Sequence, residues 1–132
     1  MHLLIDVGNT RIKWRLVTSE YEANDLSHNG LLPDLENFIK TLATNEIHVL
    51  LAAVNQTQDL RNLLFESNFY NVTIVHSKSS QAGLHNSYVN PKRMGVDRWL
   101  GLIAAYAQMQ KSFTQSGIIV VDAGSALTID IV

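Results

Sequence analysis

Two short acidic loops of this sequence share one pattern that suits phosphate binding. Each follows an apolar run and has a glycine two positions after an aspartate, in residues 6–10 (Asp-Val-Gly-Asn-Thr) and 122–128 (Asp-Ala-Gly-Ser-Ala-Leu-Thr). A carboxylate at a strand end can hold a hydrated cation, and the glycine lets backbone N–H groups approach an anion closely. We therefore expect the loops to head two related folding units that face a common cleft, an arrangement suited to a nucleotide.

The side chains of these loops include the groups that a site for a cation and a phosphate needs. Asp6 and Asp122 are the candidate carboxylates, since Mg²⁺ is commonly held by one or two carboxylates together with nucleotide phosphates. The alternative for each aspartate is a purely conformational role, because aspartate is common in turns. Candidate donors to phosphate oxygens are Asn9, Thr10, Ser125 and Lys13.

Another candidate for chemistry is Asp97, which stands with Arg98 at the start of a helical pattern. A helix N-terminus and a neighbouring guanidinium both stabilise a carboxylate. In phosphoryl transfer the attacking alcohol loses its proton late, so a carboxylate that orients the alcohol suffices as the base. Arg98 could instead bind a substrate carboxylate through two hydrogen bonds, and Tyr88 could form one wall of a pocket. The alternative is that Asp97 and Arg98 only start the helix and that Tyr88 is a packing residue.

The composition is that of an ordinary globular domain with 132 residues, 46% of them hydrophobic and 17% charged. A net charge of −2 gives no general attraction to nucleic acid or anionic lipid. The sequence has no cysteine, which excludes thiolate chemistry, and no apolar run approaches the ~20 residues of a membrane span. We expect a cytoplasmic protein that binds neither nucleic acid nor membranes.

The first half of the chain has the pattern of an α/β unit. Alternating apolar residues predict a strand over 3–7 and a returning strand over 11–18, with a third, weaker strand within 19–29. Pro33 and Asp34 open a predicted helix, and the spacing of leucines predicts another helix over 56–66. The remaining predicted strands cover 47–54 and 72–75.

The second half is dominated by one helix. Residues 78–91 have little apolar periodicity and predict a connecting loop, followed by a helix over 97–111 that is apolar enough to be buried on most sides. An apolar strand over 118–121 leads into the second acidic loop, and 127–132 predict the returning strand of a hairpin. The second unit therefore looks unfinished.

Three segments taken together resemble the signature segments of type III pantothenate kinases, namely residues 6–13, 88–98 and 122–128. That family belongs to the sugar kinase/Hsp70/actin superfamily, whose two duplicated domains begin with β-hairpins and close over ATP. The resemblance implies a ribonuclease H-like (actin-like ATPase) α/β domain over 1–95, with a mixed sheet and flanking helices. Residues 96–132 would then form a connecting helix and the first hairpin of a truncated second domain of the same kind.

The resemblance implies ATP-dependent phosphorylation of pantothenate to 4'-phosphopantothenate, the first step of coenzyme A biosynthesis. Asp97 would be the catalytic proton acceptor, Asp6 would lie near Mg²⁺, and Asp122 would hold a monovalent cation, K⁺ or NH₄⁺. The implied ATP-binding residues are Asp6, Val7, Gly8, Asn9, Thr10, Arg11, Ile12, Lys13 and Ser125. The implied pantothenate-binding residues are Tyr88, Gly95, Val96, Asp97 and Arg98.

Members of that family are roughly twice as long as this chain and work as homodimers. We therefore expect the chain to be a fragment that is inactive alone. Two other functions stay open at this point. One is a regulatory accessory role, since relatives of these kinases act as accessory factors in gene regulation, and the other is phosphorylation of a different small hydroxyl compound.

Overall fold

The structure, a computed structural model, describes residues 1–17, 27–42, 46–53, 58–69, 71–111, 117–124 and 126–132. By its internal contacts the chain divides into two compact units, Met1–Val75 and His76–Val132. The boundary predicted between residues 95 and 96 separates two evolutionarily related domains, which a division by contacts does not test, and it stays a prediction. Within the described ranges, no helix has the length and apolar character that crossing a membrane requires.

A five-stranded mixed sheet forms the centre of the first unit. Its spatial order is β3-β2-β1-β4-β5, with antiparallel pairs β1–β2 and β2–β3 and parallel pairs β1–β4 and β4–β5. The carboxyl ends of β1 and β4 therefore lie side by side at one edge of the sheet, where the turn from β1 to β2 also lies. The strands are β1 (His2–Val7), β2 (Ile12–Val17), β3 (His28–Gly30), β4 (His48–Ala53) and β5 (Val72–Val75).

Two helices, α1 (Leu32–Lys40) and α2 (Gln58–Glu66), pack on one face of this sheet. The start of α1 is fixed by the Asp34 carboxylate, which accepts a hydrogen bond from the backbone N–H of Leu31 at 2.8 Å. This bond satisfies a backbone donor at the helix start, as in a capping box. Gly30 makes room for it, because a Cβ at that position would lie 2.6 Å from Oδ2 of Asp34.

The core of the first unit lies between the sheet and these helices. Successive side chains of a strand point to opposite faces, so alternate residues of β1 and β4 enter the core. Leu3, Val49 and Leu51 are completely buried there, together with Leu35 of α1. The same alternation places Asp6 on the opposite face of the sheet.

The second unit contains one long helix and two hairpins. Trp99 of the helix is completely buried and packs with Met94 and Leu102, and Val120 packs against this cluster from the C-terminal hairpin. The elements are β6 (Ser80–Gln81), β7 (Leu84–His85), a short 3₁₀ helix (Pro91–Arg93), α3 (Val96–Lys111), β8 (Ile119–Ala123) and β9 (Leu127–Ile131).

The predicted mixed sheet and helices are confirmed, but two sequence-based predictions about the second unit were wrong. The segment 78–91 is not a plain loop, since it contains the β6–β7 hairpin and the 3₁₀ helix. The hairpin turns at Ala82 and Gly83, whose φ angles of 53° and 85° are both positive, as in a type I′ turn. Helix α3 is also less buried than predicted, because Gly101 and Ala107 are exposed. The weak strand predicted within 19–29 corresponds to β3 at its end, and residues 18–26 lie outside the described part of the chain.

Candidate active site

The turn between β1 and β2 carries the first acidic loop. It begins directly after the carboxyl end of β1, beside the carboxyl end of β4, since Val7 and Ala53 are partners in the parallel register. Ligands of open α/β sheets bind at the carboxyl ends of the strands. The turn is closed by a hydrogen bond of 3.0 Å from the Gly8 N–H to the Arg11 carbonyl. A Cβ on Gly8 would lie 3.2 Å from that carbonyl oxygen, so the glycine keeps the turn tight.

Side chains of both signs of charge lie on the strands that flank this turn. Asp6 and Lys13 are partners in the antiparallel register of β1 and β2, and cross-strand partners project to the same face. Val7 and Ile12 alternate with them and are partly buried against the core. Asn9 and Thr10 are exposed at the tip. The arrangement can offer a carboxylate to a cation, and an ammonium group with polar donors to an anion.

Arg11 extends this group toward the edge strand β3. Its Nη1 donates a hydrogen bond of 3.1 Å to Oδ1 of Asn29. Both residues are exposed, so the contact is open to solvent and contributes little to stability. It nevertheless directs the guanidinium toward β3, the strand that carries Asn29. The sequence alone did not connect that strand with the acidic loop.

The start of α3 holds the second group of candidate residues. The segment before it is anchored by Ser77, which is 7% exposed and whose hydroxyl donates to the Met94 carbonyl at 2.8 Å. The Asp97 side chain then folds back over Gly95, where a Cβ would lie 2.5 Å from Oδ1 of Asp97. The same oxygen accepts a hydrogen bond of 2.8 Å from the Arg98 N–H. Val96 is buried, at 7% exposure, and can offer a ligand only its backbone.

Arg98 joins the helix to the C-terminal hairpin. Its Nε donates to Oδ2 of Asp130 at 2.7 Å and its Nη2 to Oδ1 at 2.5 Å, which is a bidentate ion pair. A third bond of 3.0 Å runs from Nη1 to the hydroxyl of Tyr88. The Asp130 carboxylate raises the pKa of the Arg98 guanidinium, chiefly through this hydrogen bonding. The sequence suggested that two N–H groups of Arg98 could bind a substrate carboxylate. In the structure Asp130 accepts such a pair of hydrogen bonds, and Tyr88 lies beside it.

The second acidic loop lies at the turn of the β8–β9 hairpin. Asp122 is exposed, and its partner in the register is Thr128. The Thr128 hydroxyl oxygen is buried and has no hydrogen-bond partner among the described residues. Ser125 lies outside the described ranges. Nowhere in those ranges do three His, Asp or Glu side chains gather into a metal site, so any cation here would need other ligands in addition to Asp122.

A family model described as type III pantothenate kinase matches residues 2–132. The chain belongs to this family. The resemblance found in three short segments is thereby confirmed over nearly the whole sequence.

Individual members of the type III pantothenate kinase family show how much of the protein this match covers. The chain is 36% identical to the type III pantothenate kinase of Marinobacter nauticus, covering 100% of this chain and 53% of that protein. It is 34% identical to that of Cellvibrio japonicus, with the same coverage. For the enzyme of Methylobacillus flagellatus the identity is 33%, over 98% of this chain and 49% of that protein. The chain thus spans about half the length of the curated relatives it matches.

Within this pantothenate kinase family sequence, the structure assembles the candidate residues into two groups. One is the turn of the first unit with residues 6–13, and the other surrounds the start of α3 in the second unit. Asp122 belongs to neither group, since it lies at the turn of the β8–β9 hairpin, and Ser125 lies outside the described ranges. The expectation that Asp6 and Asp122 face a common cleft concerns residues of different units, and it stays a prediction.

Sequence reasoning missed Asp130, the bidentate partner of Arg98. A signal was present, since Thr128 and Asp130 alternate with three apolar residues along β9. A period of two puts both polar side chains on one face of the hairpin. Because Val120 of β8 is the register partner of Asp130 and packs against the α3 core, that face is the one turned to α3.

Proposed function

We propose that this chain is part of an enzyme that transfers the γ-phosphoryl group of ATP to the primary hydroxyl of pantothenate in the cytoplasm. The product is 4'-phosphopantothenate, which makes the reaction the first step of coenzyme A biosynthesis. The observation that carries the proposal is the match of residues 2–132 to the type III pantothenate kinase family. The two groups of side chains described above support it, because one suits a polyphosphate with its cation and the other suits a small hydroxylated acid.

In this proposal the turn between β1 and β2 binds the ATP phosphates. The Gly8 N–H closes the turn onto the Arg11 carbonyl, so other backbone N–H groups of the turn, with the polar groups of Asn9 and Thr10, would contact phosphate oxygens. Lys13 would add a positive charge, and Asp6 would hold Mg²⁺ through water or directly. When bound, the divalent cation neutralises charge on the phosphates, as in other phosphoryl-transfer enzymes.

Asp97 is the proposed proton acceptor of the pantothenate hydroxyl. One of its oxygens already accepts a hydrogen bond of 2.8 Å from the Arg98 N–H. Because residue 95 is a glycine, no Cβ occupies the space in which this carboxylate lies. The residue is exposed, so its other oxygen can receive the hydroxyl proton as the bond from the γ-phosphorus to the alcohol oxygen forms. The phosphorus–oxygen bond to ADP breaks in the same step. Tyr88 and Arg98 would bind oxygen atoms of pantothenate beside the base.

Asp122 is the proposed ligand of the monovalent cation, K⁺ or NH₄⁺. Thr128 supports this role, because it is the register partner of Asp122 and its buried hydroxyl oxygen lacks a partner in the described part of the chain. A carboxylate and a hydroxyl oxygen are suitable ligands for a hard cation. Ser125, in the same loop, would contact ATP.

The β8–β9 hairpin is proposed to open a second actin-like domain. One of its faces is apolar and exposed, with Ile119, Val121 and Ile129 each at 60% or more. Exposed apolar area of this kind marks a surface that another element covers. In the proposal that element belongs to the half of the family length that this chain does not span, and the complete enzyme is a homodimer.

The proposal is tested on the full-length polypeptide that carries this sequence, by coupling ADP release to the addition of pantothenate. We expect pantothenate-dependent turnover, and a loss of about 10²- to 10⁴-fold in kcat for Asp97→Asn with ATP binding unchanged. Asp59→Asn, on an exposed position of α2, is the matched control for loss of one carboxylate. Unimpaired turnover by Asp97→Asn would show that the base is wrongly assigned, and no turnover by the unmodified protein would refute the function. The 132-residue chain alone is expected to be inactive.

A further inference from the structure

We propose that Asp130 is a positioning residue for pantothenate binding, acting through Arg98 and the hydroxyl of Tyr88. The inference rests on the proposed function and adds to it a residue on β9. It follows from the side-on bidentate pair that Asp130 makes with Arg98.

The ion pair is shielded well enough to fix the direction of the guanidinium. The side chains of Arg98 and Asp130 are 26% and 13% exposed, respectively. A bidentate contact defines the plane of the guanidinium as well as its position, which a single hydrogen bond does not. The pair also crosses 32 positions of sequence, from the first turn of α3 to the last strand. Arg98 therefore cannot turn freely toward solvent while this ion pair is intact.

The fixed guanidinium in turn orients Tyr88. Because Nη1 of Arg98 donates to the Tyr88 oxygen at 3.0 Å, that oxygen is occupied as an acceptor. The phenolic hydrogen then points away from Arg98 and is available to a ligand. The tyrosine is 37% exposed and its ring centroid lies 5.7 Å from Cζ of Arg98, so the two side chains form one surface.

The donors left on this surface define the kind of group it recognises. A guanidinium has five N–H bonds, and three are used by Asp130 and Tyr88 in the described structure. The remaining N–H groups and the Tyr88 hydroxyl are all donors, so they match an acceptor such as a carboxylate or amide oxygen. Since Asp130 neutralises Arg98, recognition depends on direction more than on net charge. A misdirected Arg98 should therefore weaken binding of the acid while leaving ATP binding intact.

The test measures KM for pantothenate and for ATP in the full-length polypeptide that carries this sequence, before and after Asp130→Asn. We expect the KM for pantothenate to rise roughly 10- to 100-fold, the range for losing a hydrogen bond to a charged group, with the KM for ATP unchanged within about two-fold. Asp130→Glu keeps the charge and should recover part of the effect. Because it also retains an ion pair, it serves as the second variant if Asp130→Asn does not fold.

A double-mutant cycle separates positioning from general destabilisation. If Asp130 acts through Tyr88, then adding Tyr88→Phe to Asp130→Asn should raise the KM for pantothenate less than the product of the two single effects. Equal losses for both substrates, or a KM for pantothenate that is unchanged or lower in both Asp130 variants, would overturn the assignment. If the unmodified protein turns over pantothenate, a negative result with the Asp130 variants counts against the role of Asp130 alone. If the unmodified protein shows no such turnover, both the proposed function and the role of Asp130 are overturned.

Discussion

Replacing Gly95 by alanine should damage the start of α3, whereas the same change at Gly101 should stabilise it. A Cβ at position 95 would lie 2.5 Å from Oδ1 of Asp97, whereas a Cβ at position 101 has nothing within 4 Å. The Asp97 carboxylate must rotate away in the first variant and gives up its 2.8 Å bond from the Arg98 N–H. Such a bond at a helix start contributes about 1 kcal/mol, and alanine is also the poorer residue just before a helix. Gly101→Ala gains about 0.5–1 kcal/mol, because glycine is unfavourable in a helix interior.

The expected difference between the two variants is therefore about 2 kcal/mol in the free energy of unfolding. The protein has two tryptophans, so a Trp14→Phe background leaves Trp99, which is completely buried in the second unit, as the reporter of urea unfolding. In the full-length polypeptide, Gly95→Ala should also lower kcat for pantothenate by about ten-fold or more, since the proposed base is displaced. If the two variants were equally stable, or if Gly95→Ala were the more stable, the carboxylate could not lie over Gly95 as described.

Two further predictions concern stability. In the β6–β7 turn, Ala82→Gly should stabilise the second unit by about 0.5–1 kcal/mol, because residue 82 has a φ of 53°. Gly83→Ala should destabilise it, because a φ of 85° is strained for alanine and the Cβ would lie 3.2 Å from the Tyr106 ring. Thermal melts in which both variants shifted the melting temperature in the same direction would contradict this. In the first unit, Leu51→Ala should cost about 3–5 kcal/mol by urea unfolding because Leu51 is completely buried, while Phe65→Ala, at 70% exposure, should change stability by less than about 0.5 kcal/mol. Similar losses for both would mean that the core is placed wrongly.

The elements that sequence reasoning recovered are those with a long or regular apolar pattern. Strand β4 and helix α1 are examples, because Val49 and Leu51 alternate along one and Leu35 and Ile39 lie one turn apart on the other. In both cases the spacing of the apolar residues indicates which face is buried, and the burial of that face stabilises the element. The predicted strand over 47–54 and the observed β4 differ by one residue at each end, and the helix predicted to open at Pro33 begins one residue earlier, which is within the ordinary uncertainty of element ends.

The β6–β7 hairpin was missed because nothing local identifies it. Each strand has two residues, which is too short for an alternation to appear, and the turn is Ala-Gly rather than Asn-Gly. The hairpin is held instead by tertiary packing, since Leu84 packs on the core around Trp99 and Gly83 lies against Tyr106 of α3. Contacts of this kind depend on which elements meet, and a pattern within one segment does not contain that information.

The same distinction explains how far the candidate site could be predicted. Residues 6–13 form one continuous stretch and residues 95–98 another, so their types and order alone placed the first around the turn of a hairpin and the second at the start of a helix, as the structure has them. The partner of Arg98 lies on another element, and along β9 alternation could show only that Asp130 shares a face with Thr128. Register then decides the rest: Val120 is the partner of Asp130 and faces the α3 core, which puts the carboxylate within reach of the first turn of that helix. A one-residue slip in this hairpin would send Asp130 to the exposed face and leave Arg98 unpaired, so the register of β8 and β9 is itself part of the proposed pantothenate site.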